Sequence, residues 1–179
     1  MTALENLRQA IPDVARDVKL NLQSVLESGS LSEAQRFGVA AAAAIASRHA
    51  ALREAVLAAA AARVVPAVLA DARAAAALMA MNNVYYRFRH MIGKPVYAEK
   101  PARLRMNRLA QPASDKAHFE LFALAVSAIN GCEMCVRAHE RSVLAAGLSE
   151  DQVHDAVRIA ATIHAAAVAL ELQDAGQHV

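Results

Sequence analysis

The segment Ala117 to Asn130, AHFELFALAVSAIN, is apolar on nearly every side of a helix and carries a single carboxylate, Glu120. A helix without a polar face has to be surrounded by other elements, so this stretch predicts the buried centre of a helical domain. It runs through a very short turn at Gly131 into a second helical segment, and so short a connection favours antiparallel packing of the two. Alanine, the best helix former, dominates a composition that is 56% hydrophobic yet only 4% aromatic, which favours close-packed helices. The expectation is an all-α, single-domain bundle spanning residues 1–179, long enough for one substantial core.

The remaining elements follow from punctuation. Thr2 to Ala10 reads as a short first helix and Pro12 as the first turn of a second, with Val14, Val18, Leu22 and Val25 on one face and Ser28-Gly29-Ser30 as its end. Ser32 with Gln35, and Ser149 with Gln152, are capping-box patterns that open two more helices, and Gly147 closes the one before the second box. Helices are predicted over about 51–63 and 66–81, then an irregular stretch to Pro101 and a short helix before Pro112. Ser32 to Ile45 also lines up with Ser114 to Ser127, pairing Phe37 with Phe119 and Gly38 with Glu120, and placing Ala50 and Arg53 opposite two later cysteines. On that duplication, residues 1 to about 100 form a scaffold half and residues 101 to 179 the half that carries chemistry.

The chemistry centres on the only two cysteines, Cys132 and Cys135, in the run Cys-Glu-Met-Cys, with His139 four residues further on. Separations of three, four and seven residues put all three side chains on one helical face. Helical side chains lean toward the N-terminus, so His139 is expected over the turn that holds Cys135. Gly131 marks a break, so the cysteines should open a new helix, whose unpaired N–H groups favour an anion and hence a thiolate. Glu120, on a buried helix, needs a partner, and antiparallel packing brings it within reach of His139. A carboxylate behind an imidazole makes a better aimed base, a logic that extends from hydroxyl to thiol nucleophiles.

Other readings of the same residues exist. Zinc needs four ligands; Cys132, Cys135 and His139 would give three, with Glu120 or His118 as a fourth, but the second ligand pair usual in zinc sites is missing. A c-type haem needs histidine directly after the second cysteine, where Val136 stands. A thioredoxin fold would place the pair after a strand, and the surroundings here are helical. Two inert buried cysteines are the bland alternative.

The run Phe119 to Glu140, FELFALAVSAINGCEMCVRAHE, resembles the active-site signature of the AhpD-type alkyl hydroperoxidases of the carboxymuconolactone decarboxylase-like superfamily. The likeness extends to Leu7–Leu22 and to Met81-Asn-Asn-Val-Tyr-Tyr-Arg87. It implies a proton relay from Glu120 and His139, through ordered water, to Cys135 as the peroxide-reactive thiol, with Cys132 as proton donor and resolving thiol. It also implies a Cys132–Cys135 redox disulfide, no tightly bound cofactor and no metal. Dihydrolipoamide on a 2-oxo-acid dehydrogenase component, kept reduced by a flavin dehydrogenase, is the implied external reductant. Organic hydroperoxides, the peroxiredoxin AhpC and a homotrimeric assembly complete the picture. Met134 stands where close relatives often have histidine, which removes any auxiliary proton transfer assigned to that position. The alternatives are a thiol–disulfide adaptor without peroxidase activity, a decarboxylase of the wider superfamily, and a zinc-stabilised helical protein.

Bulk properties exclude more than they assert. A formal charge of +2 argues against nucleic acid. The opening MTALENLRQAIPDVARD lacks a basic region followed by an apolar one, and charges interrupt the long apolar stretches, so neither export nor a membrane span is expected and the cytoplasm is the expected location. A cysteine pair in a reducing compartment then suggests catalytic cycling. From Arg87 to Arg108 the chain is strongly basic, with Glu99 as the only acid; this reads as a solvated or subunit-facing surface, or as a docking face for an acidic partner. Asn82, Asn83, Tyr85 and Tyr86 read as a polar helix end at a subunit boundary, with ligand contact as the alternative.

Overall fold

The computed structural model describes residues 1–176, with side-chain surroundings through residue 172. Among these, helices α1 (Ala3–Ala10), α2 (Arg16–Glu27), α3 (Glu33–Ala46), α4 (Ala50–Ala61), α5 (Pro66–Ile92), α6 (Pro95–Glu99), α7 (Asn107–Ala110), α8 (Lys116–Ile129), α9 (Glu133–Ala145) and α10 (Glu150–Gly176) build an all-α domain without strands. As its sequence demands, α8 is the central rod: Phe119, Leu121, Phe122 and Leu124 are fully buried, and α3, α5, α9 and α10 pack around it. The capping boxes form as expected at Ser32–Gln35 and Ser149–Gln152, and a third forms at Thr2–Glu5.

Several boundaries differ from the sequence expectation, each for a physical reason. Pro12 precedes a single 3-10 turn, Asp13–Ala15, before α2 begins at Arg16. That offset turns Val14 out to solvent while Leu22 and Val25 stay buried. Helix α5 does not end at Met81 but continues to Ile92, because no breaker intervenes before Gly93, which closes it in the left-handed conformation. The residues from 82 onward are therefore helical, and Asn82 and Asn83 are interior side chains of α5, not an exposed helix end. One helix among the described residues, α10 over Glu150–Leu172, is long and apolar enough to cross a membrane, though Asp155 and Arg158 interrupt it; half of that window is buried in the bundle, where Ile159, Ile163 and Leu170 serve the core.

Two sets of three helices correspond closely. Helices α3, α4 and α5 have 14, 12 and 27 residues, and α8, α9 and α10 have 14, 13 and 27. The turns before α4 and α9 match as well: Arg48 and Gly131 both take positive φ, 63° and 64°. These landmarks set the first two helix pairs 83 residues apart, one more than the sequence pairing. Glu120 therefore corresponds to Phe37 instead of Gly38, Cys132 to His49, Cys135 to Leu52 and His139 to Val56. Gly38 has a different role, since a Cβ there would collide with the Phe122 ring.

The third helices, α5 and α10, match at a separation of 84, which pairs Asp71 with Asp155. The two aspartates make equivalent straps. Asp71, wholly buried, accepts hydrogen bonds from Ala113 N–H (2.8 Å), Ser114 N–H and Oγ–H (both 2.7 Å) and the Arg108 guanidinium (2.9 Å), pinning the loop that leads into α8. Asp155 accepts from Ser30 N–H (2.7 Å) and Oγ–H (2.8 Å) and from Arg158, pinning the loop that leads into α3. Each strap thus crosses from one set of helices to the entrance of the other. Burial would raise the Asp71 pKa, but the hydrogen bonds from Ala113 and Ser114 and the Arg108 charge outweigh it and hold the carboxyl below the ordinary aspartate value.

Candidate active site

Cys132 is the residue that caps α9, with non-helical backbone angles of −95° and 89°, and Cys135 lies in the first turn. The expectation that both thiols share one helical face with His139 is corrected to this extent: Cys135, His139 and Val143 form the buried stripe of α9, and Cys132 enters from the turn before it. Gly131 permits that turn by its left-handed conformation. The two sulfurs are joined as a disulfide. Cys132 is the deeper partner, at 1% exposure against 7% for Cys135.

Glu120 and His139 meet as antiparallel packing of α8 and α9 requires: Nδ1 of the ring lies 2.6 Å from Glu120 Oε2, and both residues are buried. An ionised carboxylate only accepts, so it is Nδ1–H that donates. The other ring nitrogen, Nε2, is 3.2 Å from Sδ of Met79 on α5. Among the described residues, Glu120 and Met79 are the ring's two hydrogen-bond partners, so the imidazole is not bonded directly to a cysteine sulfur. Glu120 also borders an opening of about 300 Å³ between α8 and α9, lined by Lys116, Ala117, Ser142, Ala145 and Ala146.

The cysteine turn is held from below by a polar chain that sequence reading did not assemble. Asn83, one turn after Met79, donates to Ser127 Oγ at 2.9 Å and accepts from Asn130 Nδ2 at 2.9 Å. The carbonyl of Ser127 accepts from Cys132 N–H at 3.1 Å, and Arg87 reaches the carbonyl of Asn130. Two side chains of the first half, Met79 and Asn83, thus complete a site whose other members lie in the second. Their signal is weak: a methionine in an alanine-rich helix reads as core, and asparagines near Tyr85 and Tyr86 read as a polar helix end at a subunit boundary. His118, the other candidate fourth zinc ligand, stacks on Phe122 instead. Among the described residues no three His, Cys, Asp or Glu side chains gather as a metal ion requires.

The corresponding positions in the other set of helices are occupied by Phe37 for Glu120, Val56 for His139, Ile163 for Met79 and Ala167 for Asn83, all within the hydrophobic core. The same architecture therefore closes with apolar residues at these places. Burying a carboxylate, an imidazole and an amide costs free energy that apolar packing avoids, so folding alone does not account for them.

Comparison with known proteins agrees with this architecture. Residues 95–175 match the carboxymuconolactone decarboxylase family. Over 172 residues, 96% of this chain and 92% of the relative, the sequence is 69% identical to alkyl hydroperoxide reductase AhpD of Anaeromyxobacter dehalogenans (strain 2CP-C). It is 64% identical to the protein of that name from Anaeromyxobacter sp. (strain Fw109-5), covering 99% of this chain and 97% of that one. Identity to the Rhodopseudomonas palustris (strain BisB18) protein of the same name is 50%, over 94% and 93% of the two chains. The chain belongs to the AhpD family of the carboxymuconolactone decarboxylase-like superfamily.

Proposed function

We propose that this chain reduces organic hydroperoxides with the Cys132–Cys135 pair, drawing electrons from dihydrolipoamide and serving, directly or through a peroxiredoxin of the AhpC type, as an antioxidant enzyme. The observation that carries the reading is the 2.6 Å contact between Glu120 and His139, one helical turn after Cys135, at positions where the matching helices carry Phe37 and Val56. The names of the relatives support the same reaction class.

In the reducing direction, Cys135 thiolate attacks the terminal peroxide oxygen, the O–O bond breaks, and the alkoxide leaves as alcohol with a proton from Cys132. Cys135 is then a sulfenic acid. Cys132, now a thiolate, attacks its sulfur, hydroxide leaves and takes a proton from solvent to become water, and the disulfide of the present structure results. Dihydrolipoamide reduces it by two thiol–disulfide exchanges and becomes lipoamide. His139, oriented by Glu120, accepts the Cys135 proton through water, since the ring does not bond the sulfur itself. The greater exposure of Cys135 suits it to meet the peroxide. The enzyme is taken to act in the cytoplasm as a homotrimer.

Replacing Cys135 with serine should abolish peroxide turnover, and replacing Cys132 with serine should leave a sulfenic acid on Cys135 that dimedone traps. A dimedone adduct on Cys132 in the complementary variant, with none on Cys135, would reverse the two roles. Stopped-flow turnover that depends wholly on added peroxiredoxin would instead make the chain a thiol–disulfide adaptor.

A further inference from the structure

Met79 is 1% exposed, lies 60 residues from His139 in sequence, and presents its thioether to the ring nitrogen that Glu120 does not hold. A thioether has lone pairs and no hydrogen to give. A nitrogen 3.2 Å away is stabilised by it only when that nitrogen carries hydrogen; a bare Nε2 would set lone pair against lone pair. The Asn83 amide approaches the same sulfur at 3.8 Å, and its shorter bond to Ser127 ties that turn of α5 to α8. The sulfur is thus contacted both by the asparagine amide and by the ring. At the matching position of α10 stands Ile163, and the position matching the imidazole is Val56. Where there is no ring to hold, the helix carries no acceptor.

We propose that Met79 is a positioning residue for His139: with the disulfide formed, its thioether accepts a hydrogen bond from Nε2–H and keeps a proton on the ring edge that faces α5. Glu120 fixes one edge of the ring and Met79 the other, so the imidazole can neither flip nor turn. The mechanistic consequence rests on the function proposed above. When an external dithiol reduces the disulfide, its thiolate attacks one cysteine sulfur, the S–S bond breaks, and the electron pair goes to the other sulfur as a thiolate. The protein must then supply a proton to that leaving sulfur, and the proton kept at Nε2 is a source for it, relayed by water.

The test uses the oxidised full-length protein with histidine labelled by 15N. In the wild type the His139 Nε2 resonance should have the chemical shift of a protonated nitrogen. Met79→Leu, which keeps the bulk and removes the acceptor, should move that resonance toward the unprotonated range, and Met79→Gln, which restores an acceptor oxygen, should return it. Reduction by dihydrolipoamide should slow about tenfold in Met79→Leu and recover in Met79→Gln, a part of the roughly 10²–10⁴-fold that positioned acid–base groups contribute. Unchanged ring resonances in Met79→Leu would overturn the proposal, whatever the turnover. Wild-type protein without peroxide turnover, but with the resonance shift on substitution, would overturn the functional reading and leave the Met79 bond established.

Discussion

The site is decided at the level of single atoms by which polar groups are given partners in an apolar interior. Glu120 is tolerated because His139 Nδ1–H meets it, and His139 because Glu120 and Met79 hold its two edges. Replacing Glu120 with glutamine keeps an acceptor for Nδ1–H but removes the charge that, in the function proposed above, would make the ring an effective base. Peroxide turnover in that variant should fall roughly 10²–10⁴-fold while thermal unfolding changes little, as steady-state kinetics beside calorimetry would show. Wild-type turnover rates in Glu120→Gln would refute the relay. These residues were legible because chemistry at a dithiol demands an imidazole one turn on and the single carboxylate of an apolar helix demands a partner. Met79 and Asn83 were not, since only the path of α5 across the bundle brings them there, and neither residue type signals such a role by itself.

At the level of helices, the packing of α3 on α8 rests on close approach. Gly38 faces the Phe122 ring with no room for a Cβ, and Phe122 is fully enclosed and cannot give way. Gly38→Ala should destabilise the fold by about 1–3 kcal/mol, the usual cost of overpacking a dense core, measured by chemical denaturation. No loss would mean that α3 and α8 can slide apart freely. Here the sequence was informative about the presence of helices and less so about their registration. Alanine-rich stretches align almost equally well one residue out of step, and the turns at Arg48 and Gly131, not the apolar pattern, fix the offset. The end of α5 is hidden in the sequence for a related reason: polar Asn82 and Asn83 look like a terminus until the interior groups that receive Asn83 are known.

Across the whole molecule, the Asp71 and Asp155 straps bind each set of helices to the entrance of the other. Because the folded-state pKa of Asp71 lies below its unfolded value, its contribution is complete above about pH 4 and is lost as pH falls through the folded-state value. Wild-type protein should accordingly lose stability on acidification below that point, and Asp71→Ala should lose part of this pH slope. At neutral pH the variant should be less stable by about 2–4 kcal/mol, having abandoned the donors on Arg108, Ala113 and Ser114. Identical unfolding midpoints for both proteins from neutral to acid pH would contradict the strap. The correspondence between the two sets of helices also bears on engineering. Grafting cysteines at His49 and Leu52 would not create a twin reactive centre, because Phe37, Val56, Ile163 and Ala167 leave any newcomer thiol in a greasy chamber with no proton acceptor. A designer seeking two centres per chain would have to rewrite the chamber walls on three helices before touching a single sulfur.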